Sequence, residues 1–157
     1  MVLPGKYPIH PILFYSGKIA GYITWLTYLF AITGIYPLHI EALSLFAWFS
    51  YVLGTIGLVC FILSMISLGK STRLGLPSGK TALKTGGMYS ISRNPMYVGF
   101  DLLTISCMFY MLTFWVFVLG VYSILIYHFI ILGEEKYLGT IFGNEYKKYK
   151  TKVRRYV

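Results

Sequence analysis

The sequence is short of charge. Asp, Glu, Lys and Arg together make up 12% of its 157 residues, where a soluble domain carries about 25%. Most of its surface must therefore face something other than water. Acid is scarcest, with 5 Asp and Glu against 14 Lys and Arg, for a net charge of +9. Cysteine is nearly absent. Cys60 and Cys107 both lie inside apolar runs and match no metal-ligand spacing, which suits small buried hydrophobes. Three histidines, scattered, offer no zinc cluster, so no metal site is expected. No Gly-x-Ser-x-Gly appears, and no Gly-x-Gly-x-x-Gly follows a strand, so a nucleotide-like cofactor would be held without a Rossmann unit. The first fifteen residues hold Pro4, Pro8 and Pro11 and no small-residue cleavage site, unlike a signal peptide.

What is present is apolar. Hydrophobic residues reach 57% and the mean hydropathy is +0.67. The length fits a single domain, 1–157. Spanning a bilayer core takes about 20 apolar residues. Residues 19–38 and 45–68 each supply one such span, the first with Lys18 placed to snorkel at its start and Pro37 at its end. Gly54 and Gly57 in the second permit close helix packing. Residues 95–133 carry one ionised side chain, Asp101, over a stretch too long for one crossing. A turn near Thr113 would make it a tight helical hairpin. The expected fold is an all-α membrane protein of about four transmembrane helices, the last two that hairpin. After Gly143, Asn144 is placed to cap a further helix, and Tyr146, Tyr149, Val153 and Tyr156 recur at helical spacing opposite basic residues. That pattern predicts a C-terminal amphipathic helix lying on the membrane surface.

Charge sets the orientation. Residues 69–94 hold Lys70, Arg73, Lys80, Lys84 and Arg93 with no acid, and residues 134–157 hold seven Lys and Arg. By the positive-inside rule both face the cytoplasm, as do both termini of a four-span chain. Basic residues beside apolar runs point to topology and membrane lipid headgroups rather than nucleic acid. Nothing in the sequence calls for an obligatory protein partner.

Chemistry concentrates at this cytoplasmic face. Asn94-Pro95 reads as a helix N-cap and first turn, whose positive dipole end beside Arg93 suits a carboxylate or phosphate, or simply a cap with an interfacial arginine. The hairpin returns to the same face at Glu134-Glu135, near Asn94 and Tyr97. These acids suit ribose hydroxyls or a cation; equally they suit ion pairs with neighbouring lysines. Asp101, one turn beyond Tyr97, is a further candidate as an acid at membrane depth, and His128 shares a face with Glu135.

Gly87-x-Tyr89-x-x-x-Arg93-Asn94-Pro95-x-Tyr97-x-Gly99, followed by the apolar hairpin and then Glu134-Glu135-x-x-Leu138-x-x-x-Phe142-Gly143-x-Glu145-Tyr146-x-x-Tyr149-x-x-x-Val153, resembles the isoprenylcysteine carboxyl methyltransferase family, with phosphatidylethanolamine N-methyltransferases as more distant relatives. The resemblance covers about residues 74–153. It implies methyl transfer from S-adenosylmethionine to a lipophilic small-molecule acceptor, a prenylcysteine-like carboxylate or a lipid amine. By matched position the cofactor contacts would be Thr81, Ala82, Leu83, Lys84, Tyr89, Asn94, Pro95, Met96 and Tyr97, joined by Glu135, with Glu134 and Arg93 as candidate catalytic residues. The helix N-terminus, the acid pair and the Tyr89 and Tyr97 rings suit the cofactor's carboxylate, ribose and sulfonium in turn. Two positions depart from the family. Asn94 stands where it usually has His, and Ile130 stands where the eukaryotic carboxyl methyltransferases have Arg. A membrane reductase using NADPH, with a similar hairpin and tail, and a non-catalytic protein retaining the fold are the alternatives.

Overall fold

The computed structural model describes residues 7–34, 44–69 and 82–157. The connector bearing Glu41 and residues 70–81 of the basic loop, Thr81 included, lie outside the described residues. Within them the chain forms four helices: α1 (Pro11–Ile32), α2 (Ser44–Leu68), α3 (Pro95–Met111) and α4 (Phe114–Lys152). A 3-10 turn, Gly87–Ser90, precedes α3, and no strand occurs among the described residues.

Two helices, Leu45–Leu68 and Phe114–Lys152, are long and apolar enough to cross a membrane; α3 is apolar but shorter. The second span starts where the sequence places it. The first does not: α1 begins at Pro11 and ends at Ile32, several residues earlier than the hydropathy run 19–38. Proline at the first helical position starts the helix, and hydropathy is blind to that. The outward faces of α1 and α2 carry Ile12, Ile19, Leu26, Leu45, Trp48, Val52 and Ile66, all exposed. A soluble protein does not expose so continuous an apolar surface.

The hairpin turn falls as expected. Leu112 adopts a left-handed backbone (φ 43°) that ends α3, and extended Thr113 starts α4. Helix α2 packs most extensively on α3, through two facing glycines. A Cβ on Gly57 would stand 2.9 Å from the Gly99 carbonyl oxygen, and one on Gly99 would stand 2.8 Å from that of Gly57. Lower on the same interface Ser50 and Ser106 exchange hydrogen bonds, each hydroxyl donating to the other's carbonyl at 2.9 and 2.8 Å. Interhelical hydrogen bonds of this kind hold helices together where no hydrophobic drive operates. Helix α1 lies against α3 and α4, with Gly17 seated on Ile126 and the Trp25 indole donating to Thr104 at 2.9 Å.

The Gly57–Gly99 contact predicts a change of sign. On an open helix face Gly→Ala stabilises by up to about 1 kcal/mol. At Gly99 the added methyl meets backbone on both sides, so overpacking is expected to cost about 1–3 kcal/mol. Thermal unfolding of Gly99→Ala in detergent should show a lower Tm.

Candidate active site

The hairpin brings its two ends together. Tyr97, in the first turn of α3, donates its hydroxyl to Glu134 Oε1 at 2.8 Å. Beside it, Glu135 is buried and fully engaged. Its Oε1 accepts from Arg93 Nε at 3.1 Å and Asn94 Nδ2 at 3.2 Å, and its Oε2 accepts from Arg155 Nη2 at 3.0 Å. Both guanidinium groups form ion pairs with it at 3.0 Å. The juxtaposition expected of Arg93, Asn94 and Tyr97 with the twin glutamates is therefore present.

The two acids differ in environment. Burial alone would raise Glu135, but the Arg155 hydrogen bond, the two positive charges and Asn94 outweigh it and hold its carboxyl below the usual range. Glu134 begins the polar part of α4, just past the apolar stretch that ends at Gly133. Desolvation by its surroundings pushes its carboxyl up to about 7, against the Tyr97 hydrogen bond and the charge of Lys18. Glu135 is thus a fixed anion, whereas Glu134 can gain or lose a proton near neutral pH.

Asn94 does not act as the expected side-chain cap. It occupies the N-cap position and Pro95 does open α3, but the amide donates to Glu135 and to the Arg155 carbonyl instead of capping the helix. A buried carboxylate is the stronger acceptor.

The C-terminal segment also departs from expectation. Helix α4 breaks at Gly143 (φ 49°, ψ −116°), a left-handed geometry that favours glycine. The helical turns after it bury Tyr146, Tyr149 and Val153 against Leu83, Leu138 and Phe142. The stripe expected to lie on lipid thus packs on the protein itself. Arg93 N–H donates to the Arg154 carbonyl at 3.0 Å in a bridge between residues 92 and 154, and Ser92 Oγ donates to the Arg155 carbonyl at 3.2 Å. Tyr149 donates its hydroxyl to the Tyr89 carbonyl.

Under this folded-back tail lies a cleft of about 560 Å³, open space at its mouth included. Ala82, Leu83, Lys84, Tyr89 and Arg93 line one side, with Leu68 at the end of α2; Leu138, Phe142, Tyr146 and Tyr149 line the other. Tyr89 stays a neutral phenol, pushed up to about 12 by burial and then by the charge of Glu134. Of the expected contacts, Ala82, Leu83, Lys84 and Tyr89 reach this cleft. Asn94, Pro95, Met96, Tyr97 and Glu135 are not among its lining residues; Pro95 is fully buried and Asn94 nearly so. Arg93 belongs to both groups and ties the cleft to Glu135.

The chain matches the phospholipid methyltransferase family over residues 45–145, well over half its length. The protein belongs to that family. Comparison with curated proteins and with solved structures gives no significant match. Membership of this methyltransferase family, with its apolar helices, makes the chain a membrane protein. The matched stretch takes in Tyr89, Arg93, Tyr97 and both glutamates, but neither α1 nor the last turns of the tail.

Sequence reasoning missed Arg155, the second cation on Glu135, because as one of seven basic tail residues it carries no local signal. Leu138, Phe142, Tyr146 and Tyr149 were visible in the motif but not as cleft walls. His128 hydrogen-bonds through Nδ1 to the Tyr156 hydroxyl and stacks on its ring. Asp101 Oδ1 is buried with no hydrogen-bond partner among the described residues.

Proposed function

We propose that the protein transfers a methyl group from S-adenosylmethionine to a lipophilic acceptor at the cytoplasmic face of a membrane that its helices cross four times. The observation that carries this reading is an aromatic and cationic cleft together with the Tyr97–Glu134 hydrogen bond, Arg93 linking the cleft to the neighbouring Glu135. The donor set fits the cofactor. Lys84 suits its carboxylate, the Tyr89, Tyr146 and Phe142 rings suit its sulfonium and adenine, and Leu68, Leu83 and Leu138 exclude water. When bound it supplies an electrophilic methyl group, and positioning then accounts for most of the rate.

The favoured acceptor is a lipid amine. A carboxylate acceptor has no proton to lose and wants a cation near it, yet the position one turn before Glu134 is Ile130, fully buried in apolar contacts. An ammonium must lose a proton before it attacks, and Glu134, oriented by the Tyr97 hydroxyl, is suited to take it. The NADPH-reductase reading has no such requirement for a base beside a cationic cleft. The protein incubated with labelled S-adenosylmethionine and membrane lipid extract should give a labelled N-methylated lipid; label in a carboxyl ester would contradict the amine assignment.

A further inference from the structure

The twin glutamates receive their cations from different places. Glu135 takes two arginines, both flanking the hairpin. Glu134 has no ion pair within contact distance among the described residues. The charge that acts on it comes through space from Lys18 on α1, and the coupling is mutual.

Helix α1 lies outside the stretch matched by the family, yet it is built to approach this end of α4. A Cβ on Gly21 would meet Ser123 Oγ at 2.7 Å and the Tyr127 hydroxyl at 3.2 Å, so a larger residue there would have to displace the Ser123 side chain. Gly17 is held on Ile126 in the same way, and the chain before α1 lays Pro8 directly on Gly133, the residue before Glu134. Lys18 follows Gly17. Its ammonium rests 4.1 Å from the centre of the Phe14 ring, and Phe14 is packed with Ile126, Tyr127 and Ile130, against which Tyr97 also packs. A lysine that merely snorkelled would extend away to water; this one is held over a ring in the core that supports the Tyr97–Glu134 hydrogen bond.

We propose that Lys18 is a positioning residue of the methyl-transfer site, a cation that a helix outside the family's matched region places over the Phe14 ring, in the core that supports the Tyr97–Glu134 pair. This rests on the reading that Glu134 accepts the acceptor's proton. The groups facing Glu134 are Lys18 from α1, the Tyr97 hydroxyl from α3 and Tyr89 from the turn before α3; Arg93 and Arg155 are taken up by Glu135. The two tyrosines carry no charge near neutral pH, so Lys18 is the group whose loss changes the field. The acceptor's N–H bond breaks toward the Glu134 carboxylate, and the freed nitrogen pair forms the new N–CH₃ bond as the donor's S–CH₃ bond breaks, its electrons leaving with sulfur. Without the lysine charge, less Glu134 is ionised at a given pH, and the rate falls most where protonation competes.

The test compares wild type, Lys18→Met and Lys18→Arg in lipid nanodiscs by two measurements. Infrared titration of the Glu134 carboxyl band, assigned by its loss in Glu134→Gln, should show Lys18→Met moving the midpoint upward and Lys18→Arg restoring it. The pH profile of labelled methyl transfer should show Lys18→Met slower by about two- to fivefold at pH 7, as an upward shift of half to one unit from about 7 implies, and recovering toward pH 9. Affinity for S-adenosylmethionine should be unchanged in all three. An infrared midpoint that does not move, or a rate loss equal at every pH, overturns the proposal. A moved midpoint in a protein that transfers no methyl group would instead leave the Lys18–Glu134 coupling standing and remove the methyltransferase reading.

Discussion

Replacing Glu135 with alanine is expected to cost about 3–5 kcal/mol and to free the C-terminal segment. The carboxylate binds Arg93, Asn94 and Arg155 at once, and both it and Arg93 are buried. Without it two guanidinium groups lose their counter-charge, and Arg93 keeps only the carbonyls of Lys150 and Val153. Those carbonyls belong to the tail, so the loss loosens the segment that covers the cleft. Thermal unfolding should show the drop in Tm, and limited proteolysis should cut the variant near Gly143 first. Glu135→Gln, which keeps one acceptor oxygen but loses the charge and turns the other oxygen into a donor, should fall between alanine and wild type. The same pair predicts a pH dependence. The folded-state carboxyl of Glu135 lies below its ordinary value, so its contribution is complete above the ordinary glutamate range and is lost as pH falls through the depressed folded value. Tail protection should therefore persist through mildly acidic pH and fail only below it.

Glu134→Gln is expected to act on rate, not on architecture. Glutamine still accepts the Tyr97 hydrogen bond but takes no proton. If Glu134 serves the acceptor as a base, turnover should fall by about 10²–10⁴-fold. Binding of S-adenosylmethionine and the Tm should stay near wild type, because Glu134 is not a cleft-lining residue and makes no contact ion pair among the described residues. The contrast between neighbouring acids, one sustaining the fold and one the chemistry, follows from their partners rather than their positions in the chain.

How much of this was readable beforehand depends on what each pattern encodes. An uninterrupted apolar run defines α2 to within a residue, because burial in lipid and hydropathy are the same property there. The meeting of Tyr97 with Glu134 was also readable: a hairpin returns its second arm to the face the first one left, and the run 95–133 divides at Leu112–Thr113. The start of α1 was hidden, since Pro11 sets it by backbone geometry ahead of the hydropathy run. The tail shows a different limit. Helical spacing of Tyr146, Tyr149 and Val153 says that one face is buried but not against what, and the covering surface comes from residues 83, 138 and 142, brought there by the break at Gly143. For Asn94 the capping preference was sound, but the buried Glu135 carboxylate, distant in sequence, took its amide.

The central claim is that the cleft between Leu83, Tyr89 and the folded-back tail holds a methyl donor beside Glu134. Isothermal calorimetry of S-adenosylmethionine binding to the intact protein in lipid nanodiscs tests it most directly. The account predicts saturable one-to-one binding, weakened at least tenfold by Tyr89→Ala with little change in Tm. Absence of binding by the intact protein, or affinity indifferent to Tyr89, would contradict it.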